Sequence, residues 1–202
     1  MAIEKDFFRQ VMGGFPTGVT VVTTQHKGVL GGLTVNAFCS VSLNPPLVLV
    51  CVELTSNTLE LIQKSKRFAV NMLSSEQEEI SRCFATHSEE RYNRFCGVGY
   101  REVATGAPVL DQVLAFVDAR VVAEYPGGDH MIFLGQVEAM GTNGKVIFAD
   151  DELAREQASI VSRNGTSIGK EPLAFYKGKY RNLAALPQEP TLAAVSTDEA
   201  GS

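Results

Sequence analysis

The sequence predicts a mainly β, antiparallel barrel or sandwich with a few short peripheral helices, and three observations point there. Six or seven β-branched or alternating apolar segments are separated by glycine and proline turns. The two longest, VLAFVDARVVAEY (113–125) and HMIFLGQVEAM (130–140), alternate in polarity and are joined by PGGD, the pattern of a long antiparallel hairpin. No strand–helix unit repeats, and both G-x-G-x-x-G and G-x-x-x-x-G-K-[ST] are missing, which disfavours a doubly wound nucleotide fold.

The elements follow in chain order. Residues 3–12 place Phe7, Phe8, Val11 and Met12 at helical spacing, and Gly13 with Gly14 ends the pattern. TGVTVVTT (17–24) is almost wholly β-branched and reads as a strand; Gly28, Gly31 and Gly32 mark a turn before a second strand at 33–35. After Pro45 and Pro46 the run LVLVCV is continuously apolar, as for a core strand covered on both faces. A short helix is expected at 56–64, a strand at 68–73, and a capping box at Ser75 and Glu78 opening a helix whose inner face carries Ile80, Cys83 and Phe84. Beyond the long hairpin, residues 150–163 carry helical spacing, and final strands are expected near 173–176 and 180–183. Residues 1–184 form one domain in this reading. The stretch 185–202, rich in Ala, Pro, Thr, Glu and Ser, is expected to be a disordered tail.

Composition removes several functions. With 45% hydrophobic and 20% charged residues the chain matches an ordinary globular protein, and no apolar run approaches the roughly 20 residues that span a bilayer, so a cytoplasmic location is expected. A net charge of −5 supplies no positive footprint for nucleic acid or an anionic membrane, so neither is an expected partner. Cys39, Cys51, Cys83 and Cys96 include no C-x-x-C pair and are expected to be reduced core thiols. His26, His87 and His130 share no metal-ligand spacing, and no metal site is expected.

Seven segments in order, FPTGVTVVTT (15–24), GLTVNAFCSVSLNPPLVLVCV (32–52), SNT (56–58), RFAVNML (67–73), FAT (84–86), GDH (128–130) and PLAFYKGKY (172–180), resemble the short-chain flavin reductases, including the reductase components of two-component monooxygenases. The resemblance implies a six-stranded antiparallel split β-barrel of Greek-key type, a homodimer with flavin near the subunit interface, and hydride transfer from NADH or NADPH to FMN or FAD. Reduced flavin would then pass to a separate monooxygenase. Residues 146–170 depart from the pattern as an insert, and the chain has no tryptophan.

The same resemblance implies the site. Thr34, Val35, Asn36 and Ala37 would lie along the isoalloxazine, and Ser40 and Ser42 nearer the ribityl chain and phosphate. The Asn36 amide donates and accepts, which suits the ring's carbonyl and imide edge, and the small Ala37 leaves room for a flat ring. Ser56, Asn57 and Thr58 open a helix whose N-terminal amides can hold phosphate, or are simply an N-cap. Phe84 and Ala85 would touch the cofactor, although Phe84 fits a core position equally well. His130, just past a glycine turn, would be the catalytic residue facing nicotinamide, or a structural histidine; Asp129 would shape the turn. The groups between Thr34 and Thr58 are expected to converge on a ring and its phosphorylated chain. The alternative function is a flavin-binding electron-transfer module that does not oxidise nicotinamides directly, and a barrel holding an unrelated ligand is the third.

Overall fold

The computed structural model describes residues 3–142, 145–149 and 170–183. The elements are α1 (Lys5–Met12), β1 (Thr17–Gly18), β2 (Thr20–His26), β3 (Val29–Val35), β4 (Phe38–Leu43), β5 (Pro46–Glu53), α2 (Asn57–Ser65) and β6 (Arg67–Met72). There follow a 3-10 turn (Ser75–Gln77), α3 (Glu78–Ala85), α4 (Glu89–Arg94), a second 3-10 turn (Phe95–Gly97), β7 (Tyr100–Glu102) and β8 (Pro108–Leu110). The chain then runs through β9 (Ala115–Gly127), β10 (His130–Thr142), β11 (Lys145–Phe148), β12 (Leu173–Tyr176) and β13 (Lys179–Asn182). The helix expected at 150–163 and the tail from 185 lie outside the described residues.

One antiparallel sheet dominates, in the order β3-β2-β6-β9-β10-β5-β4, with β11 added beside β10. Its end strands, β3 and β4, are joined by residues 36 and 37 alone. A two-residue link cannot span the width of a seven-strand path at about 4.8 Å per strand, so the sheet must curl until its ends meet. This is the split barrel, and the link sits in its seam.

Side-chain alternation sorts the core into two layers. Val22, Val50, Phe68, Val70, Val117, Ala119 and Phe133 fill the barrel interior together with Ile62 of α2. Their sequence neighbours Val21, Ala69 and Phe116 face outward into a second cluster with Phe84, Phe95, Val109 and Leu110. Strands β2 and β6 are therefore buried on both faces, which is why they read as near-continuous apolar or β-branched runs, and β9 is buried on both faces only over residues 116–119. The expectation of two buried faces fails for β5: Val48, Val50 and Val52 are buried, whereas Leu49 and Cys51 on the other face are only half-buried. That second apolar face looks onto a cavity.

Two further expectations need correction. The capping box is Ser74 with Gln77, one residue before Ser75 and Glu78. Both registers satisfy the sequence spacing, but the earlier one buries Ser74 and lets Gln77 Nε2 donate to the Asp111 carbonyl at 3.3 Å. Cys83 and Cys96 are not free thiols: α3 and the second 3-10 turn bring their Cα atoms to 6.0 Å and they form a disulfide. A separation of 13 residues across a polar helix carries no motif that announces the pairing.

A buried carboxylate fixes the loop that lids the outer core. Asp118, fully buried on β9, accepts hydrogen bonds from Ala104 N and Thr105 N at 2.8 Å each and from the Thr105 hydroxyl. Burial pushes this carboxyl up, and the three donors together with nearby Arg67 pull against that shift. Arg67 also donates to the Thr105 carbonyl at 2.5 Å. Asp118→Ala strands three donors and should cost about 2–4 kcal/mol, lowering Tm by roughly 5–15 °C in a chain of this size. Thermal unfolding measures it; an unchanged Tm would remove Asp118 from the account.

Candidate active site

A cavity of about 940 Å³ opens where the seam meets the outer face of β4 and β5. Its volume falls in the range of about 300–1,000 Å³ typical of ligand sites. The floor is Cys39, Leu49 and Cys51, residues of the β4–β5 hairpin that point away from the barrel interior, with Phe38, which pairs with Val50 and packs against the inner core, at its margin. The opposite wall is α1, through Phe8, Arg9 and Met12, together with Thr17, Phe175 and Tyr176. Thr17 is placed there because β1 pairs with β12, setting Thr17 opposite Phe175 and Gly18 opposite Ala174. Hydrogen bonds from Lys177 N to Gly13 O (2.9 Å) and from Val19 N to Leu173 O (3.1 Å) fasten the same corner.

The wall is mostly apolar, with a few polar groups set into it. Asn36 and Ala37, the seam residues, line it directly. Thr17 Oγ1 is buried and has no hydrogen-bond partner among the described residues, an unpaired state that costs energy unless a ligand completes it. Thr20 also lines the cavity, but its hydroxyl is spent on the Val35 carbonyl at 2.6 Å. Arg9 and Lys177 are the cationic lining residues. Such a slot, with an orphaned hydroxyl, a bifunctional amide and two cations, fits a flat heteroaromatic ring bearing an anionic tail.

The residues singled out from sequence divide into separate groups. Asn36 and Ala37 reach the cavity. Val35 is in the barrel core. The Thr34 hydroxyl donates to the Ser81 carbonyl at 2.6 Å, and Thr58 is buried with its hydroxyl on the Gly32 carbonyl at 3.3 Å. Phe84 is fully buried, packed over Gly32, where an added Cβ would stand 2.5 Å from its ring. Ala85 beside it is exposed. Ser56 caps α2 by accepting from Thr58 N at 3.3 Å, and Asn57 is exposed. Ser40 is exposed and Ser42 accepts from Asn44 N at 3.3 Å, on either side of a register shift in β4.

The convergence expected of residues 34–58 is therefore partial. Alternation along β3 turns Thr34 toward α3, while Thr58 of α2 and Phe84 of α3 face down onto Gly32 of β3. Sequence reasoning also passed over Thr17, Arg9 and Lys177. Thr17 stands within FPTGV, but its role depends on pairing with a strand far downstream.

His130 opens β10, directly opposite Gly127 and Glu53, and is not among the cavity-lining residues. Its Nδ1 lies 2.7 Å from Asp129 Oδ1. Asp129 shapes the turn through its carbonyl, which accepts from Leu54 N at 3.0 Å. The contact with His130 and the charge of that ring hold the Asp129 carboxyl below its usual range, with a smaller contribution from Lys5 of α1. Asp129 thus braces the His130 ring at the hairpin tip, outside the cavity lining.

Comparison with known proteins finds relatives over most of the chain. Residues 12–184 match the flavin reductase like domain. The chain is 32% identical over 181 residues to the reductase subunit HsaB of a flavin-dependent monooxygenase from Mycobacterium tuberculosis, covering 90% of this chain and 83% of that one. It is 39% identical over 142 residues to the NADH-dependent FMN reductase AsuE2 of Streptomyces nodosus subsp. asukaensis, covering 67% and 74%. The solved NADH:FAD oxidoreductase SgcE6 of Streptomyces globisporus C-1027, in complex with NAD and FAD fragments, superposes with a TM-score of 0.72 at 32% identity, over 90% of this chain and 93% of that one.

If Thr17 Oγ1 is held for a ligand, Thr17→Val should weaken binding of added FMN by about 5–20-fold, the loss of one hydrogen bond to a buried partner, without lowering Tm. Flavin fluorescence titration measures the first and thermal unfolding the second; equal affinity would make the hydroxyl incidental.

Proposed function

The chain belongs to the flavin reductase family, and from that premise we propose that it transfers hydride from NADH or NADPH to FMN or FAD in the seam cavity and supplies reduced flavin to a partner monooxygenase. The observation that carries the site is the apolar cavity with an orphaned Thr17 hydroxyl beside Asn36. When bound, flavin supplies the redox chemistry by accepting hydride from the nicotinamide. The chain's residues have the remaining tasks. Phe8, Phe38, Leu49 and Phe175 desolvate the ring, Asn36 and Thr17 fix its edge, and Ala37 allows close approach. Arg9 and Lys177 meet the anionic tail; on this reading they take over part of the phosphate role that the sequence assigned to Ser40, Ser42, Ser56, Asn57 and Thr58. No protein nucleophile is needed, which accords with a wall lacking paired carboxylates.

His130 is read as the nicotinamide-side residue. Asp129 Oδ1, 2.7 Å from its Nδ1, orients its ring at the tip of the β9–β10 hairpin. A homodimer is supported by α1, which buries none of its residues although Phe7, Phe8, Val11 and Met12 give it a strongly apolar face. A second copy covering that face would complete the cavity wall. Among the described residues no helix is long and apolar enough to cross a membrane.

Flavin-dependent loss of nicotinamide absorbance tests the activity: oxidation of NADH or NADPH should require added FMN or FAD, and no flavin-dependent rate with either nucleotide would reject it. Tight flavin retention without nicotinamide oxidation would favour the electron-transfer reading instead. His130→Ala should raise the nucleotide KM or slow hydride transfer by about 10-fold or more while leaving flavin affinity nearly intact. Unchanged kinetics would return His130 to a structural role.

A further inference from the structure

Two cysteines in the floor of the cavity take no part in the mechanism above. Cys39 pairs with Leu49 across the β4–β5 ladder, and Cys51 N donates to the Ala37 carbonyl at 3.1 Å, so the two thiols stand one diagonal step apart on the same outward face. Both line the cavity, and they are the free cysteines, Cys39 exposed and Cys51 half-buried. We infer that Cys39 and Cys51 form a peroxide-sensitive dithiol whose oxidation to a disulfide closes the cavity to flavin. The inference rests on the reading of this cavity as the flavin site.

The reaction itself can provide the oxidant. Dioxygen that meets reduced flavin before a partner collects it takes two electrons and two protons and leaves as hydrogen peroxide. The Cys39 sulfur attacks one peroxide oxygen: an S–O bond forms, the O–O bond breaks, and the departing oxygen leaves as water with the thiol proton. Cys51 then attacks the sulfenic sulfur: the S–S bond forms, the S–O bond breaks, and the hydroxyl departs as water with the Cys51 proton. Exposure assigns the first attack to Cys39. Burial, and then the neighbouring Cys39, push the Cys51 thiol up, so it is the slower of the two to meet peroxide.

Bridging requires movement. Diagonal neighbours in a sheet have Cβ atoms up to about 7 Å apart, and a disulfide needs about 3.8 Å. Strand β4 can supply it, because it is the last strand of the sheet, is paired on one side only, and breaks register between Ser40 and Ser42. Its shift would draw Cys39 toward Cys51 past Leu49, across the floor where the ring must lie. The oxidant would thus report reduced flavin going uncollected, and the response would stop its production.

The test treats the full chain with hydrogen peroxide, alkylates remaining thiols and maps peptides by mass, with flavin affinity measured in parallel by fluorescence. The expected result is a peptide pair joined through Cys39 and Cys51, short by two hydrogens, with flavin affinity reduced about tenfold or more and restored by dithiothreitol. Cys51→Ser should stop at a Cys39 sulfenic acid trapped by dimedone, Cys39→Ser should form no bridge, and bound FMN should slow the bridging. Unlinked cysteines after peroxide, bridging that leaves flavin affinity unchanged, or equal loss of affinity in Cys39→Ser would each overturn the inference. Failure of untreated protein to bind flavin overturns the underlying reading and with it the closure, while the mass readout still scores the thiols separately.

Discussion

Two residues carry the chain from one end of the main sheet to the other. Because β3 and β4 are the terminal strands of a seven-strand path and only Asn36 and Ala37 separate them, the sheet has no flat solution. Curling places a barrel core on the inside, leaves an apolar outer face on β4 and β5, and brings the linking pair to the surface beside that face. The cavity is a consequence of closure, since α1 and the β1–β12 corner lean over the same outer face without filling it.

This constraint also explains how the remaining elements are used. Strands β6 and β9, in the middle of the path, and β2 beside them receive a second core layer on their outer side, held by the α3 region and by the β7–β8 pair. Asp118 and Asn71 fasten that layer with buried hydrogen bonds, Asn71 accepting from Leu110 N at 2.8 Å and donating to the Val21 carbonyl at 3.0 Å. The disulfide between Cys83 and Cys96 ties α3 to the turn that carries Phe95, whose ring stands edge-on to Phe84 at 5.1 Å. The rigid side of the barrel is thus the side away from the cavity, and the terminal strand β4, paired on one side only, is the adaptable one.

Much of the fold was legible because its strands carry strong periodicity. The long hairpin, the β-branched run of β2 and the capped helices appear close to where alternation and turn residues place them. What escaped reading was short or polar: α4 is EERYNR, and β7 and β8 have three residues each, too few for a period to register. The barrel's closure was legible only through family resemblance. Of the residues lining the candidate cavity, Asn36 and Ala37 were named by the same route. Thr17 was not, because its exposure to the cavity arises from pairing with Phe175, and no local pattern carries that information. The apolar face of β5 did leave a signal in LVLVCV, and burial in protein was the wrong explanation for it.

A crystal structure of the protein with FMN bound tests the central claim most directly. The account requires the isoalloxazine to lie in the seam against Leu49, its edge within hydrogen-bond reach of Thr17 Oγ1 and the Asn36 amide, with the phosphate turned toward Arg9 or Lys177. A ring bound on the α2–α3 face beside Thr34, Thr58 and Phe84, with the seam cavity left empty, would contradict it.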